Sequence, residues 1–171
     1  YGSDSTIAPR DIAAEAQLWM EEIALEQATT ERPVSVIRAS NVQGVPISGP
    51  PGNGLLHKWA SEAPIGWVNV PGDGSDLKDF VHVQDLVECI MRVMADPPPT
   101  RESIAIGSGK GIQLRDLAAI YNQMTGCEAE YGQNHDQEVF GIVDASEVEM
   151  RLGFRPTVSL EEMIRESFEV S

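Results

Sequence analysis

One short stretch, "VPGDGSDLKDFVHVQDL" (Val70–Leu86), holds three residues of types that could do chemistry. Lys78 follows a glycine-rich turn and could bind an anion such as a phosphate. His82 could transfer a proton near neutral pH, but a histidine between two valines is more often a packed, hydrogen-bonded structural residue. Asp85 stands where a helix is expected to begin, a position that aspartate often caps. The stretch therefore predicts a candidate anion-binding lysine, a structural histidine and a capping aspartate.

A second stretch, "GSGKG" (Gly107–Gly111), has the composition of a phosphate-binding turn. It lacks the full G-x-G-x-x-G spacing, and its lysine is not followed by serine or threonine. We therefore predict a plain turn, with phosphate binding as the alternative. His57 and His135 have no cysteine or carboxylate at ligand spacing, so no metal site is predicted.

Charge and composition restrict the partners of the chain. Its 171 residues include 12 Lys and Arg against 27 Asp and Glu, a net charge of −15, and 42% are hydrophobic. Such a charge repels nucleic acid and anionic membrane surfaces, and no apolar run reaches the ~18 residues that would span a bilayer. Cys89 and Cys127 are predicted to be reduced and structural. No signal peptide precedes Tyr1, so we expect a cytoplasmic protein. The first residue is not methionine, which is compatible with a fragment or a processed product.

The pattern of helices and strands alternates, which is typical of an α/β layer architecture. "PVSVIRA" (Pro33–Ala39) is a β-branched run like a buried parallel strand, and such a strand needs neighbours on both edges. "VQGVPISGPPGNG" (Val42–Gly54) is predicted as a loop. Further strands are predicted at "GWVNV" and "SIAIG", and helices at residues 11–27, from Leu55, from Asp85 to about Ala95, up to Gly126, at Ser146–Leu152 and at Leu160–Phe168.

Four motifs, taken in order, resemble the C-terminal half of an extended short-chain dehydrogenase/reductase. They are "RASNVQG", "VPGDGSDLKDFVHVQDL", "IAIGSGKGIQLRDLA" and "VDASEVEMRLGFRPTVSLEEMI". The most similar group is the NAD-dependent epimerase/dehydratase family, which acts on nucleotide sugars. The resemblance implies part of a Rossmann-like parallel sheet in residues 1–96, including the substrate-loop segment. It implies the smaller substrate-binding subdomain in residues 97–171.

The same resemblance implies NAD or NADP as cofactor, but the cofactor-binding residues do not carry over. The family's glycine-rich dinucleotide fingerprint belongs to a first half that this sequence does not contain. The family's catalytic Tyr-x-x-x-Lys pair falls on Ala13 and Gln17 when Glu21 is aligned with the glutamate that follows it. Alanine has no proton to transfer and glutamine has no charge. No catalytic residue is therefore assigned, and we expect this chain alone not to bind the cofactor.

The resemblance assigns substrate-binding roles to Asn41, Asn53 and Lys78. The two asparagines match positions that contact the sugar nucleotide, and Lys78 stands where most members have an arginine that reaches the diphosphate. The lysine keeps the positive charge without the bidentate fork of an arginine. A second phosphate-binding motif retains only its aspartate in "QNHD", residues 133–136.

Two classes of function remain open. The chain is either part of a nucleotide-sugar epimerase, dehydratase or reductase, or a non-catalytic binding or scaffold relative. The expected partner is a nucleotide sugar or a similar small molecule in both cases. Trp19 and Met20 on the helix at residues 11–27 are predicted to lie in the core or in an interface. By the resemblance, the chain is expected to form a homodimer, either through this helix or through a segment ahead of Tyr1.

Overall fold

Helices and strands alternate along the chain as the sequence pattern predicts. The computed structural model describes residues 9, 12–44, 54–133 and 142–169. The helices are α1 (Ile12–Glu26), α2 (Leu55–Glu62), α3 (Val83–Ala95), α4 (Leu114–Thr125), α5 (Ala145–Leu152) and α6 (Leu160–Glu169). The strands are β1 (Val34–Ala39), β2 (Asn41–Gln43), β3 (Trp67–Val70), β4 (Leu77–His82), β5 (Arg101–Ile106), β6 (Gly111–Gln113) and β7 (Glu128–Tyr131).

Parallel pairing brings strands together that are distant in the sequence. β1 pairs with β5 in parallel from Val34 opposite Arg101 to Ala39 opposite Ile106. All six residues of β1 are half-buried, and β5 is the one strand paired with β1 among the described residues. The predicted parallel strand is therefore confirmed, but among the described residues it is half-buried rather than buried. The second neighbour that we expected for it is not found in the described part of the chain.

Two further sheets complete the described fold. β2 pairs with β4 in parallel, β6 joins the other edge of β4 in antiparallel orientation, and β3 pairs in parallel with β7. The pairs β1–β5, β4–β6 and β3–β7 all cross residues 96 and 97, where the sequence predicts a domain boundary. That boundary stays a prediction. The fold class is the expected one, α/β with Rossmann-like parallel pairing.

Two apolar clusters pack against these sheets. The larger one joins α2, β3, α4 and α6 around Trp59 and Tyr121, whose rings meet edge to face at 5.2 Å between centroids. The smaller one packs α3 and α5 against β4 and β5 around Cys89 and Val148. Burial of these faces is the main favourable term for the fold. In the described ranges, no helix has both the length and the apolar composition that a membrane span requires.

Short strands account for most differences from the predicted elements. β2 begins at Asn41 and takes in Val42 and Gln43, inside the segment predicted as a loop. β6 and β7 were not predicted as strands. Strands of three residues (β2 and β6) or four (β7) have too few residues for a clear alternating pattern, and their conformation depends on hydrogen bonds to a neighbouring strand.

Candidate functional site

The pairing of β2 with β4 brings Asn41 and Lys78 to one face of a sheet. Asn41 lies opposite Phe80, and Lys78 is two residues earlier on β4, opposite Ile112 of β6. Side chains two residues apart on a strand project from the same face. The amide Nδ2 of Asn41 donates to the backbone oxygen of Asp79 at 2.8 Å, which ties the side chain across the two strands. Asn53 lies outside the described residues.

A glycine turn determines where Lys78 enters its strand. Gly72 and Gly74 have φ angles of 57° and 75°, a region that favours glycine. Arg115 donates its backbone N–H to the oxygen of Gly74 at 2.9 Å, which fixes the turn to the start of α4. Lys78 is half-buried at the beginning of β4. The turn and the sheet thus hold the positively charged Lys78 at the start of β4, in a chain whose net charge is −15.

Gln43 and His82 lie on the same sheet face, two residues after Asn41 on β2 and two residues after Phe80 on β4. Both side chains make contacts within the protein. Gln43 is 4% exposed and accepts a hydrogen bond from the backbone N–H of Leu56 at 3.4 Å. His82 is 1% exposed, and its Nε2 lies 2.8 Å from Glu166 Oε2. His82 Nδ1 accepts from the N–H of Gln84 at 3.2 Å, so the proton of a neutral ring is on Nε2. The predicted structural role of His82 is confirmed.

Asp79, which the sequence analysis did not single out, is the most densely bonded side chain of the site. Its fully buried carboxylate accepts from the backbone N–H groups of Ser108 at 2.9 Å, Gly109 at 3.2 Å and Val143 at 3.1 Å. It also accepts from the hydroxyl of Ser108 at 2.5 Å. A Cβ at Gly107 would lie 2.5 Å from Asp79 Oδ2, which explains that glycine. The signal in the sequence was an aspartate directly before the short apolar run that contains His82.

This carboxylate decides between the two interpretations of "GSGKG". The backbone N–H groups of Ser108 and Gly109 would have to face a phosphate, but both donate to Asp79 instead. The segment is therefore a turn held by an internal anion, as the first interpretation predicts.

The predicted capping role of Asp85 is wrong. The N-cap of α3 is His82, and Asp85 lies in the first turn of the helix. Its buried carboxylate accepts from the backbone N–H groups of Thr157 at 3.0 Å and Val158 at 3.1 Å. The sequence pattern could not show this contact, because it joins residues 72 and 73 positions apart.

The remaining reactive side chains are in unreactive settings. Cys89 and Cys127 are buried and not joined in a disulfide, in agreement with the prediction. Burial, with a smaller effect of Glu102, raises the pKa of the Cys89 thiol to about 11, so the thiol is protonated near neutral pH. Burial also raises the pKa of the Tyr121 phenol. In the described ranges, no three histidine, cysteine or carboxylate side chains are grouped to hold a metal ion.

Helix α1 carries the two positions that the resemblance aligns with the family's Tyr-x-x-x-Lys pair. Ala13 and Gln17 are both exposed, and one turn further on Glu21 bonds the Arg38 guanidinium at 2.8 and 2.9 Å. Trp19 is 64% exposed and Met20 is 62% exposed. Of the two alternatives for these apolar residues, a place in the core of the described chain is wrong. The interface remains a prediction.

Comparisons with known proteins agree with the fold and with the motifs. The model of the NAD dependent epimerase/dehydratase family matches residues 2–107. GDP-L-fucose synthase 1 of Arabidopsis thaliana is 30% identical over 105 residues, which cover 60% of this chain and 32% of the synthase. The dTDP-L-rhamnose 4-epimerase of Burkholderia thailandensis is 29% identical over 150 residues, 80% of this chain and 39% of the epimerase. The aligned parts thus cover about a third of these curated relatives.

A solved structure extends the likeness to almost the whole chain. UDP-glucose 4-epimerase from Bifidobacterium longum, in complex with NAD+ and UDP, superposes with a TM-score of 0.81 and 19% sequence identity. The superposition covers 98% of this chain and 57% of that one. At this identity the likeness concerns the fold.

Proposed function

The chain belongs to the NAD dependent epimerase/dehydratase family, and from that premise we propose that it binds a nucleotide sugar through Asn41, Asn53 and Lys78. The observation that carries the proposal is the β2–β4 register, which puts Asn41 and Lys78 on one face of a sheet. Residues 1–96 would supply the last part of a Rossmann-like domain, and residues 97–171 a substrate-binding subdomain.

Electrostatics support a central role for Lys78. A diphosphate that approaches a chain of net charge −15 is repelled at long range. A nearby cation must therefore supply most of the local attraction. Lys78 is half-buried, so its attraction is screened less by salt than that of a fully exposed lysine. Asn41 is anchored by its amide nitrogen, and an amide oxygen accepts hydrogen bonds from sugar or nucleobase donors.

The residues of this chain do not fit a nicotinamide dinucleotide. Ala13 cannot exchange a proton, and Gln17 cannot offer the positive charge that a lysine would hold near the nicotinamide ribose. The sequence contains no G-x-x-G-x-x-G turn. We therefore derive no hydride-transfer step. An epimerase, dehydratase or reductase activity, whether isomerase or oxidoreductase, would require NAD or NADP and catalytic groups from another segment.

A non-catalytic binding or scaffold protein is the second candidate function. The substitutions at Ala13 and Gln17 favour it, because binding of a nucleotide sugar does not need either catalytic side chain. A cytoplasmic location stays a prediction for both candidates. A homodimer through α1 is proposed for both as well, since the exposed Trp19 and Met20 would be removed from water in such a contact.

The test is a calorimetric titration with UDP-glucose, a GDP-sugar and a dTDP-sugar. The variants are Lys78→Ala, Lys78→Arg and, as a matched control, Lys58→Ala, which removes an exposed lysine of α2. A charge-assisted hydrogen bond contributes about 1.5–3 kcal/mol, so Lys78→Ala should weaken binding about 10–100-fold. Lys78→Arg should bind as well or better, because its planar fork can hold two phosphate oxygens.

The salt dependence of binding and the Lys58→Ala control show whether the effect of Lys78→Ala comes from its charge at this position. Raising the salt concentration should narrow the gap between the parent and Lys78→Ala, and Lys58→Ala should bind like the parent. The proposal is wrong if the parent binds none of the three sugars, or if Lys78→Ala binds them equally well.

A further inference from the structure

Asp79 lies directly behind the sheet face that carries Asn41 and Lys78. It follows Lys78 on β4, so its side chain projects from the opposite face of the sheet. Its backbone oxygen still contributes to the site, because this oxygen accepts the hydrogen bond from Asn41 Nδ2 at 2.8 Å. Asp79 is therefore held at two places, by Asn41 at its main chain and by distant segments at its carboxylate.

Both oxygens of that carboxylate are engaged. Oδ1 accepts from the backbone N–H and the hydroxyl of Ser108, and Oδ2 accepts from the N–H groups of Gly109 and Val143. Hydrogen bonds to a carboxylate are stronger than those between neutral groups. A rotation of the side chain, or a shift of residue 79 along its strand, would break several of these bonds at once.

The space behind Asp79 is closed as well. A Cβ at Gly107 would lie 2.5 Å from Asp79 Oδ2 and 2.8 Å from the Cβ of Val143. Along the strand, Asp79 lies opposite Gly111 of β6 in the antiparallel pair. Packing, strand pairing and the carboxylate contacts thus all fix the position of the Asp79 carbonyl group.

This carbonyl group determines how Asn41 presents its amide. An asparagine amide has a donor end and an acceptor end, and its rotation exchanges them. The bond from Nδ2 to the Asp79 oxygen fixes which end is which, so Oδ1 is the end left to accept from a ligand. Without a fixed carbonyl, part of the population would present Nδ2 in its place.

We infer that Asp79 is a positioning residue for the nucleotide-sugar face and that it acts by fixing the carbonyl that orients Asn41. The inference rests on the proposed function for its ligand, whereas the orientation of Asn41 is a property of the chain without ligand.

Charge and positioning predict opposite effects of Asp79→Asn. A carboxylate next to Lys78 in the sequence repels a diphosphate, so removal of its charge alone should tighten binding. The variant also replaces one acceptor oxygen by an amide nitrogen, which cannot accept from the N–H groups that now hold the carboxylate. If positioning dominates, binding should weaken instead.

The test is a calorimetric titration of the full chain with UDP-glucose, a GDP-sugar and a dTDP-sugar. Asp79→Asn should weaken binding about two- to tenfold, the effect of losing one neutral hydrogen bond. The double variant with Asn41→Ala should bind within twofold of Asn41→Ala alone, because both changes act through one contact. The matched control is Asp85→Asn, at a carboxylate that is also buried and also accepts from two backbone N–H groups. It should bind like the parent.

Exchange of the Asn41 side-chain amide protons with water, measured by NMR, is a second readout that needs no ligand. Exchange should be faster in Asp79→Asn by about the same factor and unchanged in Asp85→Asn. Equal or tighter binding by Asp79→Asn, an equal loss in Asp85→Asn, or unchanged exchange in Asp79→Asn would overturn the inference and leave the proposed function standing. If the parent binds none of the sugars, the proposed function fails, and the exchange rates alone decide whether Asp79 orients Asn41.

Discussion

Replacement of Asp79 by alanine tests whether an internal carboxylate holds the turn at residues 107–111. The change removes the acceptor for three backbone N–H groups and one hydroxyl. A buried donor without a partner costs about 1–3 kcal/mol. The N–H of Val143 is buried, and those of Ser108 and Gly109 are partly buried. Loss of the acceptor should therefore cost about 1 kcal/mol for each of the two partly buried groups and about 1–3 kcal/mol for Val143. The free energy of unfolding should fall by about 3–5 kcal/mol.

Urea unfolding, followed by tryptophan fluorescence, measures this difference. Asp96→Ala is the control, because the Asp96 side chain is 82% exposed and bonds Arg151 at the surface; it should cost less than about 1 kcal/mol. Asp79→Asn should fall between the two variants, since the amide keeps one acceptor oxygen and loses the charge. A loss in Asp79→Ala no larger than that in Asp96→Ala would refute the view that this carboxylate organises the turn.

Three further predictions concern histidine, cofactor and self-association. His82→Ala should cost about 2 kcal/mol through loss of the Glu166 contact and the helix cap. That is about 4–8 °C in Tm, with nucleotide-sugar affinity within twofold of the parent; a large loss of affinity at unchanged Tm would contradict its structural role. Calorimetry with NAD and NADP should show weak or no binding to this chain, and micromolar affinity would contradict that expectation. Sedimentation should show self-association that Trp19→Glu weakens and Met150→Glu, at a still more exposed position on α5, does not. A cooperative, concentration-independent melt of a monomer would count against the interface.

Much of the fold could be predicted because it follows from local patterns. The β-branched run in β1 and the apolar spacing in α3 and α4 are visible in single segments of the sequence. Gly126, with φ of 77°, ends α4 where the sequence predicts. The structural role of His82 was also predictable, since two apolar neighbours in a strand imply burial. The placement of Lys78 and Asn41 came from family motifs rather than from any pattern of residues.

The sequence by itself determined the alternation of helix and strand, the acidic charge, and the absence of a Tyr-x-x-x-Lys pair at Ala13 and Gln17. Each of these depends on residue types and short spacings. The tertiary structure alone decided that Asp79 binds a turn 29 and 30 residues away and that Asp85 binds a segment 72 and 73 residues away. It also decided that Asn41 and Lys78 share a face. A carboxylate can accept hydrogen bonds from any nearby donor, and only the folding of distant segments determines which donors are near.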